Sequence, residues 1–342
     1  MDLDLLREAQ KLKAQGHEWS QVADLLNEKY GQNLTAEAIR SRVKRHKDKI
    51  TYEDRVEPPT EFNLEEYWDA MVKATIAKTR LSTQQTDARL TINEQAPVGL
   101  IFTGDWHIGC DGTDYAQLEH DIDVWRNTPG LYTIGMGDYK DNYVTGAPPG
   151  GGFHASAPPG VQSQLVFFQA MKLKDKALAW CKGCHDDWDE RQTNRDFIQE
   201  LAEKTDAINL WHGGVLYITL GSEVYKVAAR HKFPFASNLN TTNSQRQLFH
   251  SVGGADIVAI GHLHYNDLQM KTQSGIRTVW FRSGSYKVGD EYGQKIGGYA
   301  GEPIQPMAIL LPDQHKVIAY PDYRDGLDHL ALLRERYQRV VS

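Results

Sequence analysis

Short runs of consecutive apolar residues recur from residue 98 onward, and each has the length of a buried β-strand. These runs cover 98–102, 131–136, 177–181, 215–220, 224–229, 257–260, 277–281, 307–311 and 317–320. Segments of helical composition lie between several of them, at 115–125, 161–174 and 194–204. Alternating strands and helices predict an α/β domain, which we assign to residues 96–342.

The first 50 residues show helical rather than strand periodicity. Apolar residues recur at intervals of three or four residues, the spacing of one helix face, in 3–12, 19–26 and 38–43. The pattern predicts a small N-terminal domain of three helices at 1–50. Residues 51–95 are assigned to a polar linker with two consecutive prolines, followed by a connector helix over 64–90.

The third predicted helix carries basic residues on the face opposite its apolar positions. The basic residues are Arg40, Arg42, Lys44, Arg45 and Lys47. A three-helix unit with a basic final helix resembles the helix-turn-helix and Myb-like modules of many DNA-binding proteins, in which the last helix enters the major groove. DNA is therefore an expected partner through these five residues. The alternative is a solvated charged face on a helical interaction module.

Composition limits the expected location and partners. No apolar run approaches the roughly 18 residues that a membrane-spanning helix requires, and the N-terminal segment, charged from Asp2, lacks the apolar core of a signal peptide. Three cysteines are too few for a disulfide framework and suit a reducing compartment. We therefore expect a soluble cytoplasmic protein without a membrane partner. Because the formal net charge is −7, DNA binding would depend on the local basic patch.

Five of the predicted strands are each followed by a loop that carries aspartate, histidine or both. The loops contain Gly104-Asp105-x-His107, Gly137-Asp138-x-x-Asp141-Asn142, Gly183-Cys184-His185-Asp186, His231 and Gly261-His262-x-His264. Ligands of open α/β sheets bind at the carboxyl ends of strands, where such loops can converge. Carboxylates and imidazoles in this number suit two divalent ions rather than one. Ordinary packing would explain any one of these histidines, but not the whole set.

The order of these loops resembles the motif series of the calcineurin-like metallophosphoesterase superfamily, which is GD-x-H, GD-x-x-D, GNH-[DE], H and GH-x-H. The resemblance covers about residues 98–290. It implies an α/β fold that is a four-layer α-β-β-α sandwich, in addition to the small N-terminal three-helix domain. It also implies a di-metal centre at the strand ends, and we expect two divalent ions of manganese, zinc or iron as cofactors.

The resemblance carries roles over to individual positions of this sequence. It implies that the ligands of a first ion are Asp105, His107 and His264. It implies that Asp138 bridges both ions, and that the remaining ligands of the second ion are Cys184, His231 and His262. It further implies that His185 is the catalytic acid and that Asp186 orients it.

Cys184 departs from the superfamily pattern, which has asparagine at this position. A thiolate is softer than an amide oxygen and favours zinc or iron over manganese or magnesium. Three interpretations are open. Cys184 is a true ligand, or it is not a ligand and the second metal site is weak. In the third, Cys181 and Cys184 form a C-x-x-C redox or zinc pair, which we disfavour because the sequence has no partner motif.

The implied reaction is phosphoester hydrolysis, in which a metal-bridged hydroxide attacks phosphorus in line and His185 protonates the leaving oxygen. The leading hypothesis is a DNA nuclease or phosphodiesterase, based on the basic third helix and on the DNA-repair nuclease branch of the superfamily. The alternative is a phosphatase or phosphodiesterase that acts on small-molecule or protein phosphoesters and uses the N-terminal domain for assembly. A third hypothesis, a non-enzymatic DNA-binding scaffold, is disfavoured because most ligand positions are present.

Overall fold

The computed structural model describes residues 3–46, 63–81, 87–143, 155–188, 190, 194–236, 240–289 and 301–341. The chain divides into two compact units, Met1–Ser82 and Thr83–Ser342. Each unit is described by itself below.

The first unit contains a packed three-helix core, as the apolar spacing predicts. The helices are α1 (Leu3–Ala14), α2 (Trp19–Tyr30) and α3 (Ala36–Arg45). Apolar side chains from all three meet in one buried cluster that includes Leu5, Val22, Leu26 and Ile39. The Thr35 hydroxyl caps α3 by accepting a hydrogen bond from the Ala38 amide at 3.2 Å. This burial holds α3 against the other two helices, with its polar side outward.

The connector differs from its predicted form. Helix α4 (Leu64–Leu81) ends nine residues earlier than the predicted end at residue 90. Residues Asp87–Ile92 form strand β1 of the second unit, not helix. The prediction was wrong here because the stretch alternates, burying Ala88 and Ile92 while their neighbours face outward, and its pairing partner β6 lies more than 100 residues further along the chain.

The second unit contains two six-stranded sheets and their helices. Its further strands are β2 (Val98–Thr103), β3 (Leu131–Gly135), β4 (Ala177–Trp180), β5 (Ile208–Asn209), β6 (Gly213–Leu220), β7 (Glu223–Arg230), β8 (Ile257–Ile260), β9 (Asp267–Gln273), β10 (Ile276–Arg282), β11 (Met307–Leu310) and β12 (Val317–Tyr320). Its helices are α5 (Tyr115–Asn127), α6 (Pro159–Met171), α7 (Phe197–Thr205), α8 (Asn243–Ser251) and α9 (Tyr323–Val341).

The strand order is β1-β6-β7-β8-β10-β9 in one sheet and β12-β11-β2-β3-β4-β5 in the other. In the second sheet β2, β3, β4 and β5 run parallel. In the first sheet β7, β8 and β10 run parallel. Consecutive parallel strands end at one edge, so the loops after β2, β3 and β4, and those after β7 and β8, can meet.

The two sheets stack face to face, and helices cover their outer faces. Apolar residues of both sheets, such as Phe102 and Phe281, share one core cluster between them. Helices α5, α6, α7 and α9 contribute to a second cluster on the outside of one sheet. Helix α8 packs through Leu248 and Phe249 on the outside of the other. The predicted four-layer α-β-β-α sandwich is therefore confirmed. Among the described residues, no helix is both long and apolar enough to span a bilayer.

Candidate metal centre

The predicted ligands lie on the loops that follow β2, β3, β4, β7 and β8. Several of them have backbone conformations in the left-handed region, which non-glycine residues rarely adopt. The φ angles are 51° for Asp105, 47° for His107, 53° for Asp138, 75° for His262 and 61° for His264. Such conformations persist only where the surrounding structure imposes them, and they are concentrated at functional sites. The strain therefore marks this sheet edge as a candidate site.

The first cluster brings together Asp105, His107 and His264, as predicted for one ion. The His107 and His264 Nε2 atoms lie 3.0 Å apart, and His264 Nε2 lies 3.2 Å from Asp105 Oδ1. That Asp105 oxygen is buried and accepts no hydrogen bond within the described part of the chain. A buried carboxylate oxygen facing two imidazole nitrogens is an arrangement that a cation would satisfy.

Asp141 and Lys287 support the first cluster, although neither was among the predicted site residues. The His107 Nδ1–H group donates to Asp141 Oδ1 at 3.1 Å, and Lys287 Nζ donates to the same oxygen at 3.2 Å. This contact leaves His107 Nε2 facing the cluster, as in many carboxylate–histidine–metal arrangements. Burial lowers the pKa of His107 to about 4, which keeps the imidazole neutral and able to bind a metal.

The second cluster brings together Cys184, His231 and His262. Their ligand atoms all lie within 4.8 Å of one another. His231 Nε2 is 3.1 Å from His262 Nδ1, and Cys184 Sγ is 3.9 Å from the same nitrogen. The His231 Nδ1–H group donates to the Met136 carbonyl at 2.9 Å, which leaves Nε2 for the cluster. Burial, followed by the charge of His231, lowers the pKa of His262 to about 4.

Asp138 lies where the two clusters meet. Its Oδ2 atom is 3.1 Å from His231 Nε2. The Asp138 carboxylate also converges with Asp105 of the first cluster and His231 of the second. Its Oδ1 atom accepts a hydrogen bond from the His185 amide at 2.8 Å. Burial raises the pKa of Asp138, but the charges of His231 and His185 outweigh it and hold the pKa well below its usual value. The carboxylate can therefore contact an ion in either cluster.

His185 lies beside the first cluster with its ring held on two sides. Its Nδ1–H group donates to the main-chain carbonyl of Asp141 at 2.6 Å. Its ring packs against that of Trp188 with centroids 4.0 Å apart, and against that of His107 at 4.6 Å. Because Nδ1 is engaged, Nε2 is the nitrogen that can exchange a proton with a substrate.

The structure contradicts the predicted role of Asp186 in orienting His185. Asp186 Oδ2 accepts hydrogen bonds from the backbone amides of Asp138 at 2.8 Å and Gly183 at 2.9 Å, and Oδ1 accepts one from Tyr139 at 3.2 Å. The carboxylate therefore ties two ligand loops together, and the Asp141 main chain holds His185. Burial, with the charge of Asp138, raises the pKa of Asp186 to about 7. The resemblance to the superfamily implied a contact with His185, but the Asp186 side chain is directed at these backbone amides instead.

The C-x-x-C interpretation of Cys181 and Cys184 is also wrong. All three cysteines are free thiols. Cys181 is fully buried in the core between the sheets, with its sulfur 3.8 Å from the Ala229 carbonyl oxygen, and burial raises its pKa to about 12. Cys184 instead belongs to the second cluster, so the two interpretations that remain both concern that cluster.

A cavity of about 390 Å³ adjoins the second cluster. Its lining includes Cys184 and His231 of that cluster, together with Trp188, His212 and Lys232. Lys232 is exposed, while Trp188 is partly exposed. The volume suits a small organic group, and the lining offers it an aromatic ring, a lysine and the carboxylate of Asp187. The sequence pattern gave no signal for Trp188 or Lys232, since neither belongs to a metal-ligating motif.

The predicted DNA-binding residues lie on α3 where the structure describes them. Arg40, Lys44 and Arg45 are exposed, and Arg42 is partly buried. Arg45 donates to the Ser41 hydroxyl one turn earlier at 3.2 Å. Lys47 lies outside the described residues. The exposed residues form a basic surface on α3, and its partner remains a prediction.

The donor atoms fit divalent cations on the observations above. Two clusters of imidazole, carboxylate and thiol ligands converge from separate loops, and Asp138 lies between them. The Asp105 Oδ1 atom lacks a hydrogen bond within the described residues, and a carboxylate and a carbonyl group orient His107 and His231 with Nε2 towards the clusters. These residues can therefore hold divalent metal.

No family model matches this sequence, and no curated protein does either. Solved structures that this chain partly resembles include vacuolar protein sorting 29 of Cryptosporidium parvum, at 13% identity and a TM-score of 0.37, with 66% of this chain and 96% of that chain covered. The calcineurin-like phosphoesterase YfkN of Bacillus subtilis matches at 10% identity and a TM-score of 0.37, covering 70% of this chain and 100% of that one. A serine/threonine phosphatase of Saccharomyces cerevisiae matches at 10% identity and a TM-score of 0.33, covering 82% of this chain and 95% of that chain. Similarities at this level identify neither a family nor a function.

Proposed function

We propose that this protein is a metal-dependent phosphoesterase. The observation that carries the proposal is the convergence of two ligand clusters around Asp138, with His185 beside them. Two divalent ions, when bound, supply Lewis-acid stabilisation of phosphoryl oxygens and lower the pKa of an attacking water. A site with both ligand clusters and an adjacent proton donor supports hydrolysis of a phosphoester better than metal storage, which needs no proton donor.

The chain's own residues supply orientation and proton transfer. The Asp141 carbonyl and the Trp188 ring fix the plane of His185, so that protonated Nε2 can donate to the leaving oxygen. Asp186 holds the loops of Asp138 and Gly183 in register through three backbone amides. Gly183 is required in that contact, since a Cβ atom there would lie 2.1 Å from the Asp138 nitrogen. The geometry of the site therefore depends on the Asp186 carboxylate even though it does not contact His185.

We propose DNA as the substrate class. The exposed basic residues of α3 support phosphate contacts, and the cavity beside the second cluster offers Trp188 and Lys232 to a nucleotide unit. The alternative substrate is a small-molecule or protein phosphoester, with the first unit serving assembly. The cavity favours neither substrate by itself, so the basic surface of α3 decides our preference.

Hydrolysis of plasmid DNA should be compared with hydrolysis of bis(p-nitrophenyl) phosphate and p-nitrophenyl phosphate, each with manganese, zinc and chelator. We expect cleavage of the plasmid and of the diester, and none in chelator. Rapid hydrolysis of the monoester alone would favour the alternative.

Affinity for duplex DNA should depend on α3. Replacing Arg40→Ala together with Arg45→Ala should reduce the slope of log affinity against log salt by about 1.8, since each phosphate contact contributes about 0.9. The matched control is Arg7→Ala with Lys11→Ala, which removes the same charge from α1. Equal slopes for the two double variants would reject α3 as the DNA-binding surface.

A further inference from the structure

We propose that Cys184 binds the second ion through its sulfur and makes that cluster selective for zinc, whereas the first cluster accepts a harder ion. The inference rests on the proposed function only in assuming that ions occupy both clusters. It chooses between the two interpretations of Cys184 that the structure leaves open, and it adds an asymmetry between the two metal sites.

The donor set of the second cluster is the first support. Cys184 Sγ lies within 4.8 Å of the ligand nitrogens of His231 and His262. Asp138 Oδ2 adds an oxygen 3.1 Å from His231 Nε2. One sulfur, two nitrogens and one oxygen make four donors, which is the number that zinc takes in most protein sites. A thiolate in that set favours zinc over manganese or magnesium.

The backbone on both sides of Cys184 holds its side chain towards the cluster. The Gly183 amide donates to Asp186 Oδ2 at 2.9 Å, and the His185 amide donates to Asp138 Oδ1 at 2.8 Å. The Asn142 side chain also donates to the His185 carbonyl at 2.7 Å. With both neighbouring amides fixed, residue 184 has little freedom to turn away. Its position therefore follows from the same contacts that position Asp138.

The first cluster offers no sulfur within the described part of the chain. Its ligands are one carboxylate and two imidazoles, and the other cysteines, Cys110 and Cys181, are buried outside both clusters. The same protein thus presents an oxygen–nitrogen site and a sulfur-containing site joined by Asp138. Manganese or iron suits the first site and zinc the second. Binding at the second site releases the thiol proton to solvent.

Cobalt(II) can test the sulfur ligand without any substrate. The full-length protein, stripped of metal by chelator, is titrated with cobalt(II) until two ions are bound. We expect an intense ultraviolet thiolate-to-cobalt charge-transfer absorption in the wild type. The absorption should be lost in Cys184→Asn and Cys184→Ser and kept in Cys181→Ala, the matched control three residues earlier. A wild-type protein that binds two cobalt ions without this absorption, or binds none, would overturn the proposal.

Metal selectivity gives a second, independent readout. In competition dialysis, the preference of the second site for zinc over manganese should fall by at least about tenfold in Cys184→Asn. Loss of a group that only hydrogen-bonds to a metal ligand already lowers affinity by about tenfold or more, so loss of the sulfur ligand itself should have no smaller effect. An unchanged preference would also overturn the proposal. Charge-transfer absorption without hydrolysis would reject the proposed function but support the sulfur ligand. Hydrolysis without the absorption would support the proposed function but reject the sulfur ligand.

Discussion

The two clusters of the candidate metal centre differ in how much of their ligand side chains is exposed to solvent. In the first, the exposed fraction is 0% for Asp105, 1% for His107 and 7% for His264. In the second, His231 is 2% exposed, but Cys184 and His262 are only partly buried. Cys184 and His231 of the second cluster also line the cavity of about 390 Å³. If the proposed function holds, we therefore expect a substrate to reach the centre over the second cluster.

The two clusters also differ in what orients their ligands. Buried side chains hold the first cluster, through the chain of contacts from His107 to Asp141 to Lys287. Backbone groups hold the second, through the Met136 carbonyl on His231 and the anchored amides around Cys184. A closed, carboxylate-supported half and an open, backbone-supported half should therefore respond differently to substitution.

Breaking the junction between the clusters should have the largest effect. Asp138→Asn removes the charge that both halves share while keeping an oxygen for the His185 amide. We expect turnover to fall below detection and binding of the second ion to weaken, with the fold preserved. Hydrolysis kinetics and metal content are the measurements, with circular dichroism as the check on folding. Wild-type turnover in this variant would show that the clusters act separately.

The proton donor beside the clusters should have the next largest effect. His185→Gln should lower kcat by roughly 10²–10⁴-fold, the usual contribution of a general acid, without reducing metal content. Asp186→Asn should instead lower the free energy of unfolding by about 1–3 kcal/mol, since an amide nitrogen replaces one of the two oxygens that accept from buried backbone amides and leaves a donor without a partner. Chemical denaturation and kcat separate the two variants. A kcat loss in Asp186→Asn as large as that in His185→Gln, with the free energy of unfolding unchanged, would restore the role first predicted for Asp186.

Weakening the support of the closed half should change metal affinity. Asp141→Asn keeps an acceptor for His107 but loses the charge, so we expect the first ion to bind about 10–100-fold more weakly. Titration with manganese, followed by calorimetry, measures the change. The control is Asp175→Asn, which removes an exposed carboxylate from the turn before β4. Equal manganese affinity in both variants would show that the Asp141 charge does not strengthen metal binding by His107.

Substitution in the cavity beside the second cluster should have the smallest effect, and that effect should be on substrate binding. Lys232→Ala removes an exposed charge from the cavity, and we expect KM for a phosphodiester to rise about two- to fivefold, consistent with the energy of an exposed charge pair. kcat and metal content should remain unchanged. Lys174→Ala, an exposed lysine before β4, is the control. A change in kcat rather than KM would mean that Lys232 does more than attract substrate.

Local sequence patterns were sufficient to predict most strands of the sandwich. They were not sufficient to predict strands that depend on pairing with distant or neighbouring strands. The apolar runs predicted β2, β3, β4 and β8 because these strands are buried on both faces. Strand β9 was missed because it lies at a sheet edge, is polar, and takes its register from β10. Strand β1 was missed because its partner β6 is distant in sequence. Edge strands and distant pairings leave little local signal.

The candidate site shows the same division. The motifs predicted that these loops converge, because each motif follows a strand whose end is fixed by the sheet, and the resemblance to the superfamily supplied which residues meet in each cluster. It was not enough to assign contacts within a loop: Asp186 is next to His185 in sequence but turns back to the amides of Gly183, Asp138 and Tyr139. Trp188 and Lys232 were missed because their positions depend on how separate loops fold together.

The most direct test of the central claim is to count ions and measure hydrolysis in the same samples. Apo protein is dialysed against increasing zinc and manganese, and bound metal per chain is determined beside the rate of diester hydrolysis. The proposed centre predicts two ions per chain, with hydrolysis rising as the second ion binds and disappearing in chelator. Hydrolysis that persists in chelator, or a protein that binds no ion, would contradict it.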